Sequence, residues 1–513
     1  MIRFLLGSLA VLLQTTITSS AADRPNILFV LFDDMGYGQP TSYRPESLFK
    51  TPNIDRMAKE GLRFTDAHSS AASCTPTRYG FLTGRYPHRI GQWGMLNTFS
   101  PPLIPETRLT VASFLKQNGY ATACVGKWHL GMNWNKPKSK GKDKTKSELV
   151  IGDKMTGGPN AVGFDYFYGF THARNIGTII EQDTVVKEVE PVENQPLMIK
   201  KAVEYLQQRS TRKEEPFFLY FPMCPPHSPV VPAPQYVGKG GNAGKGSYAD
   251  WVYQGDDMLG QLLDALEATG QADNTLVLVS ADNGAAGREY PPLREHKASI
   301  YEGGHREPFL ARWPGRIKPG TTSDQIVSIT DIFATCAELI GQSLPKNAGE
   351  DSVSFLDCLY GKQEGAFREA SVHQNGKKSL AIRQDKWKLI VHGDGKRELF
   401  DLDADISETR NLIDAQTETA TDMARLLQTY LDNGRSTSGA AQPLEHRISL
   451  AERVPGGAAD GGSKKGKKKQ AKSDKKTKPK KAARAAARAK KNAERELEEA
   501  KKANRSEFEK TRQ

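Results

Sequence analysis

Residues 26–32 read Asn-Ile-Leu-Phe-Val-Leu-Phe, an apolar run with no polar position inside it. Residues 216–221 (Pro-Phe-Phe-Leu-Tyr-Phe) and 275–279 (Thr-Leu-Val-Leu-Val) have the same texture. Short runs without alternation predict strands covered on both faces, as in a parallel sheet. Helical patterns fall between them, over 51–60, 110–118, 196–208 and 253–268. The last carries Met258, Leu259, Leu262, Leu263 and Leu266 at amphipathic spacing. Strands alternating with helices predict an α/β domain with a largely parallel sheet flanked by helices. Beyond about residue 350 the pattern changes. Residues 379–391 and 398–402 read as short strands of a smaller antiparallel sheet, with a turn at Gly393-Asp394-Gly395, and 417–431 as a helix that closes it.

The ends of the chain change this picture. Met1-Ile2-Arg3, a short apolar stretch from Phe4 to Leu13, and small residues to Ala21-Ala22 have the form of a secretory signal peptide. The expected order is a signal peptide over 1–22, a catalytic domain over 23–350, a C-terminal subdomain over 351–433 and a low-complexity basic tail over 434–513, disordered to partly helical. Export to a periplasmic or secreted location follows. The net charge of +12 belongs to the tail: residues 464–513 hold 21 Lys/Arg and 7 Asp/Glu, and the remainder is nearly neutral at 51 and 53. Five cysteines, at 74, 124, 224, 336 and 358, are too widely spaced for a zinc finger, and their spacing specifies no pairing.

In a parallel sheet, ligands bind beyond the carboxyl ends of the strands. There the chain places Asp33-Asp34 after the first strand, Gly126-Lys127-Trp128-His129 after 120–125, Pro226-His227 after 216–221 and Asp282-Asn283-Gly284 after 275–279. Each piece alone suits a turn or a cap. Adjacent carboxylates repel, however, and are costly without a cation. Three carboxylates and an amide oxygen form a hard, all-oxygen set that suits Ca²⁺ or Mg²⁺ rather than zinc.

Cys74 opens the run Cys-Thr-Pro-Thr-Arg at the start of a helical pattern, with Leu82-Thr83-Gly84-Arg85 following. A helix N-terminus and the nearby Arg78 favour a thiolate or an anionic ligand there. The run resembles the signature of the formylglycine-dependent sulfatases, of the alkaline phosphatase superfamily. Further matching elements occur in family order: Asp33-Asp34-Met35-Gly36, Gly126-Lys127-Trp128-His129, Gly163-Phe164-Asp165, Pro226-His227-Ser228-Pro229, Asp282-Asn283-Gly284, Lys297 through Glu302-Gly303-Gly304 to Arg306, Trp387-Lys388-Leu389 and Glu398-Leu399-Phe400-Asp401-Leu402.

That resemblance implies an alkaline phosphatase-like large domain, sulfate ester hydrolysis and one Ca²⁺ ion held by Asp33, Asp34, Asp282, Asn283 and position 74. It implies that a maturation enzyme converts Cys74 to formylglycine, whose hydrate is the nucleophile. Arg78 would hold that hydrate, Lys127 and Lys297 would bind sulfate oxygens, His129 would contact the second hydroxyl, and His227 would serve the leaving oxygen. Gln39 stands where the family often has Asp, so it is not counted as a ligand. His172 and Arg174 are candidates for substrate contact. A sulfated carbohydrate is the expected substrate. The alternatives are a phosphate or phosphonate monoester hydrolase of the same superfamily and, from another class, a polyanion-binding protein acting through its tail. An acidic polymer on the tail is a further expected partner. A specific nucleic acid is not, since the tail has one aromatic residue, Phe508, for base stacking.

Overall fold

The computed structural model describes residues 24–135, 149–241 and 247–451. The expected signal peptide, the Lys-rich stretch 136–146 and the basic segment 464–513 lie outside the described residues.

A ten-stranded sheet forms the frame. From edge to edge it runs Thr321–Ser323, Leu62–Phe64, Phe309–Arg312, Thr275–Ala281, Asn26–Asp33, Phe217–Pro226, Ala121–Lys127, Tyr166–Phe170, Thr178–Glu181 and Thr184–Glu188. The five strands from Thr275–Ala281 to Tyr166–Phe170 are mutually parallel. Antiparallel partners flank them on both sides. The apolar runs predicted this centre, and both faces are covered as that texture requires. Ile27, Phe29 and Leu31 face a core with Tyr79, Phe81, Phe114 and Phe333. Leu28, Val30 and Phe32 face the opposite core, with Met57, Met198, Leu206, Met258 and Leu262.

Two helices start earlier than their apolar spacing suggests. Pro191–Ser210 opens with proline in its first turn and a Glu190/Glu193 capping box, so Pro196 lies inside it. Tyr248–Ala268 gains a first turn whose Asp250 carboxylate accepts from the Gly238 and Gly240 amides.

The C-terminal sheet has four antiparallel strands in the order Ser371–Gln374, Leu380–Gln384, Trp387–Val391, Arg397–Asp401. Helix Thr417–Asp432 packs on one face through Met423 and Leu427, against Leu380, Ile382, Leu389 and Leu399. The other face meets the large domain: Ala381, Ile390 and Phe400 pack on Ile300 and Tyr301. The Ser371–Gln374 strand escapes the hydropathy pattern because its buried positions include Ser371, His373 and Gln374. Residues 434–451, grouped with the tail on composition, pack back on this subdomain. Ile448 and Leu450 are buried in its core, and Ser436 donates to the Glu350 carbonyl. The ordered chain therefore extends past 433. The apolar anchors of 434–451 are two isolated residues, too few to register in a hydropathy pattern, and the other contacts are polar, such as Glu445 on Arg85.

Helix Pro52–Glu60 lacks a cap from its own Thr51 side chain. Asp256, on the Tyr248–Ala268 helix, supplies one instead. Its carboxylate accepts from the Asn53 amide at 3.0 Å, the Ile54 amide at 2.8 Å and Asn53 Nδ2 at 2.9 Å. Asp256→Ala would orphan these donors in a buried place and should lower stability by about 2–3 kcal/mol. Denaturant unfolding checks this; a loss no larger than that from a surface alanine would contradict the cap.

Candidate active site

The carboxyl edge of the parallel sheet collects the polar residues. Asp33 ends its strand where the register to Phe217–Pro226 shifts between Leu31 and Asp33. Such an irregularity re-aims a side chain at the end of a ladder. Asp34 follows with φ 67°, a left-handed conformation uncommon outside glycine. Lys127 ends the Ala121–Lys127 strand and is fully buried. Gly126 before it has φ 135°, and a Cβ there would lie 2.1 Å from the Pro222 carbonyl oxygen, so only glycine lets the two strands close up beside the site. Cys74 is the first residue of helix Cys74–Thr83, with Ser73 at the N-cap.

These segments bring most of the expected residues into one cluster. Cys74 Sγ lies 3.3 Å from Asp33 Oδ1, 3.8 Å from Asp34 Oδ1 and 3.3 Å from Lys297 Nζ. Lys127 Nζ donates to Asp33 Oδ2 at 2.5 Å, and Lys297 Nζ donates to Asp34 Oδ1. Arg78, one turn below Cys74, donates to Asp282 Oδ2 through Nε (3.0 Å) and Nη2 (2.7 Å) and to the Lys127 carbonyl through Nη1 (3.1 Å). Asn283 Nδ2 donates to Asp34 Oδ1 at 2.7 Å, and the Asp34 amide donates to Asp282 Oδ1 at 3.1 Å. His227 Nε2 stands 3.6 Å from Asp34 Oδ2, while its Nδ1 donates to the Ser228 carbonyl. One ligand atom from each of Asp33, Asp34, Cys74 and His227 lies within 4.8 Å of the others.

His129 and the residues named for substrate contact sit beside this cluster. His129, at φ 59°, has Nε2 3.1 Å from the Leu96 carbonyl, which requires a proton on Nε2. Its Nδ1 is then a bare lone pair, buried and without a protein partner. The His172 ring lies 5.5 Å from that of His129, and Thr98 Oγ1 meets His172 Nε2 at 2.9 Å. Arg174 is exposed. Gln39 is engaged elsewhere, with the Gly36 amide and Tyr248 Oη.

Burial alone would raise the Asp33 carboxyl, but Lys127, His227, Arg78 and Lys297 together hold it well below the usual range. Burial opposes the charge on Lys127, and Asp33 outweighs it. Burial and the neighbouring Asp33 push Asp282 up, against Arg78. At Cys74 the outcome differs from the expected thiolate: burial, Asp282 and Asp33 push the thiol well above its ordinary value. Arg78 does not rescue it because Asp282 takes two of its donors.

The pattern of strand ends did not announce Tyr220, whose hydroxyl lies 3.5 Å from Arg78 Nη1, or Trp251, whose Nε1 holds the His227 carbonyl at 2.9 Å. A lone tyrosine inside the apolar run Phe-Phe-Leu-Tyr-Phe was the available signal for the first.

The model of the Sulfatase family matches residues 25–342, and that described as N-sulphoglucosamine sulphohydrolase, C-terminal, matches residues 295–436. The chain is 30% identical to the N-acetylgalactosamine-6-O-sulfatase of Bacteroides thetaiotaomicron, over 79% of this chain and 93% of that one. A sulfatase structure described under glycosaminoglycan metabolism by Bacteroides thetaiotaomicron superposes with a TM-score of 0.70 at 28% identity, covering 79% of this chain and 99% of that one. The structure described as Ps i-CgsB in complex with k-i-k-neocarrahexaose also gives 0.70, at 27% identity, covering 82% and 95%. The chain belongs to the sulfatase family. It is a sulfuric ester hydrolase with the mixed α/β fold of the alkaline phosphatase superfamily.

Burial, Lys127 and His172 hold His129 well below the ordinary histidine range, and burial with Lys127 and Arg174 holds His172 down to about 4. Below pH 6.5 the unfolded chain therefore takes up protons that the folded site refuses, and stability falls as pH drops. For His129 the slope approaches about 1.4 kcal/mol per pH unit until its folded value is reached. Unfolding free energies between pH 6.5 and 5 should show this slope reduced in His129→Gln; an unchanged slope would contradict a neutral His129.

Proposed function

We propose that the protein hydrolyses sulfate esters on a sulfated carbohydrate, with position 74 matured to formylglycine and one Ca²⁺ held by Asp33, Asp34, Asp282 and Asn283. The observation that carries this reading is the position of Cys74 Sγ, at a helix N-terminus and within 3.3 Å of both Asp33 Oδ1 and Lys297 Nζ. A buried thiol pushed up by two carboxylates is a poor nucleophile. A hydroxyl of an aldehyde hydrate at the same place needs no thiolate.

The donor set fits a hard cation. Its carboxylate oxygens are joined by Asn283 Oδ1, which is buried and has no protein partner. When bound, the ion would supply positive charge next to the sulfate oxygens. Among the groups named here, Asp33, Asp34 and Asp282 face Arg78, Lys127 and Lys297, so the protein charges balance. A divalent ion leaves the site positive, which favours an anionic ester. The formylglycine hydrate would offer one hydroxyl for attack and a second whose deprotonation re-forms the aldehyde and expels sulfate.

The chain's own groups then divide the work. Lys127 and Lys297 can turn from Asp33 and Asp34 toward sulfate oxygens. Arg78 orients the first turn of the helix that carries position 74. His129 Nδ1, a bare lone pair, is suited to take the proton of the second hydroxyl, and His227, in its doubly protonated form with Nδ1 held by the Ser228 carbonyl, to give the Nε2 proton to the leaving oxygen. The names of the relatives, an N-acetylgalactosamine sulfatase and a structure holding a neocarrahexaose, support a sulfated saccharide as substrate. Cys74 in its Cys-x-Pro-x-Arg setting favours sulfate over phosphate or phosphonate esters. Export, with maturation by a formylglycine-generating enzyme, belongs to the same reading.

Mass spectrometry of active protein should find formylglycine at 74; an unmodified thiol in fully active enzyme would defeat the mechanism. Cys74→Ala should abolish turnover, losing at least about 1,000-fold. Chelation should depress activity and Ca²⁺ should restore it. Desulfation of defined saccharides, with a phosphate ester alongside, tests the substrate class; faster phosphate cleavage would overturn it.

A further inference from the structure

Outside the reacting cluster lies a second group of buried ionisable residues, where the C-terminal sheet meets the large domain. His68, His305 and His373 are fully buried, as are Lys388 and Glu408, and one ring nitrogen from each of the three histidines lies within 4.8 Å of those of the other two. Lys388 comes from the Trp387–Val391 strand, on the same side as Ile390, which packs toward the large domain. Its Nζ donates to Glu302 Oε1 at 2.9 Å and to His305 Nε2 at 3.1 Å. Its 2.8 Å approach to Glu408 Oε1 is an ion-pair contact without hydrogen-bond alignment.

These contacts continue as a chain. His305 Nε2 lies 3.1 Å from both Lys388 Nζ, which only donates, and the Ile300 carbonyl, which only accepts. His305 Nδ1 and His68 Nδ1 meet at 3.1 Å. His68 Nε2 donates to the Asp66 carboxylate at 2.6 Å. Lys388, His305, His68 and Asp66 thus form one continuous line of polar contacts. Buried, fully partnered lines of this kind resist displacement, because moving any member strands the next.

The line is fastened to both halves of the reacting cluster. Glu302 begins the turn Glu302–His305, and its amide donates to Glu408 Oε2 at 2.7 Å. That turn accepts the Gly284 amide at the Gly304 carbonyl, 3.1 Å, next to Asn283. A Cβ on Gly284 would lie 1.9 Å from the Gly303 carbonyl oxygen, so this packing leaves no slack. The His305 carbonyl accepts the Ser69 amide at 2.8 Å, and His373 Nδ1 meets the Ser69 carbonyl at 3.0 Å. Gln374 brackets the same segment: its amide donates to the Ser70 carbonyl and its carbonyl accepts the Ala72 amide. The Ala72 carbonyl in turn accepts the Ala298 amide at 2.7 Å, beside Lys297. Segment 69–72 runs directly into Ser73 and Cys74.

We propose that Lys388 is a positioning residue for the reaction: from the C-terminal sheet it fixes the Glu302–His305 turn, and through it the placement of Asn283, Lys297 and Cys74. The inference rests on the reading of those three residues as part of the reacting centre. Lys388 itself touches none of the reacting groups. The small sheet is, on this account, a working part of the active site.

The test uses the full chain with Lys388→Met, Lys388→Arg and the milder His305→Gln, compared with wild type. In Lys388→Met, kcat on a sulfate ester should fall about 100-fold with KM little changed, the signature of misplaced reacting groups. Lys388→Arg, which keeps a charged donor, should recover part of that loss. Amide hydrogen exchange should speed up in peptides covering 69–73 and 283–305, and stay slow in helix Tyr248–Ala268. If Lys388→Met does not fold, His305→Gln carries the same two readouts. Folded variants with wild-type kcat and unchanged exchange in those peptides would overturn the proposal. So would one equivalent of zinc in wild type that is lost in His68→Gln, which would make the histidines a metal centre rather than a hydrogen-bonded line. If wild type turns over no sulfate ester, the functional reading fails, and the exchange measurement still decides the positioning role.

Discussion

Concentrated charge without water is the constraint on which this structure depends. Asp33, Asp34 and Asp282 are buried at the end of a parallel sheet, where uncompensated carboxylates would be far too costly. Arg78, Lys127 and Lys297 offset them, each from a different segment of chain. Five segments must therefore arrive together. The register shift before Asp33, the left-handed backbone at Asp34 and His129, and the close approach at Gly126 are what that convergence demands of the backbone. Strain of this sort persists only where the surroundings over-determine it.

The same constraint explains the state of Cys74. A helix N-terminus and an arginine would ordinarily favour a thiolate, yet here the arginine is committed to Asp282 and the nearest oxygens are anionic. The pocket suits a neutral group that can become anionic as it reacts and that stands between carboxylates and ammonium groups. The four remaining cysteines are buried and unpaired, and act as small apolar residues in their cores.

The two sheets solve different problems. The large parallel sheet aims strand ends at one place, and helices seal both of its faces. The small antiparallel sheet uses its two faces unequally. One builds a core with Met423 and Leu427, and the other carries Lys388 and Ile390 into the seam with the large domain. A buried ion cluster at a seam fixes register more than it adds stability, since desolvation absorbs much of the attraction.

The parallel centre of the fold was legible in the chain because strands buried on both faces leave unbroken apolar runs. The cluster was legible at Asp33, Asp34, Lys127, His227, Asp282 and Asn283 because each follows a segment that reads as a strand, and at Cys74 through its local pattern. The Ser371–Gln374 strand was not legible, since its buried positions are largely polar and the partners it does find lie some 300 positions away, as Ser69 does for His373. The anchorage of 434–451 was hidden for a related reason, resting on two isolated apolar residues and on polar contacts with distant segments. Sequence alone determined which chemistry is available, because residue type and its place after a strand are local properties. Tertiary structure alone decided which charges pair, that His129 Nδ1 is left without a protein partner, and that the surroundings of position 74 disfavour a thiolate. Those outcomes depend on distances between segments that the chain brings together only by folding.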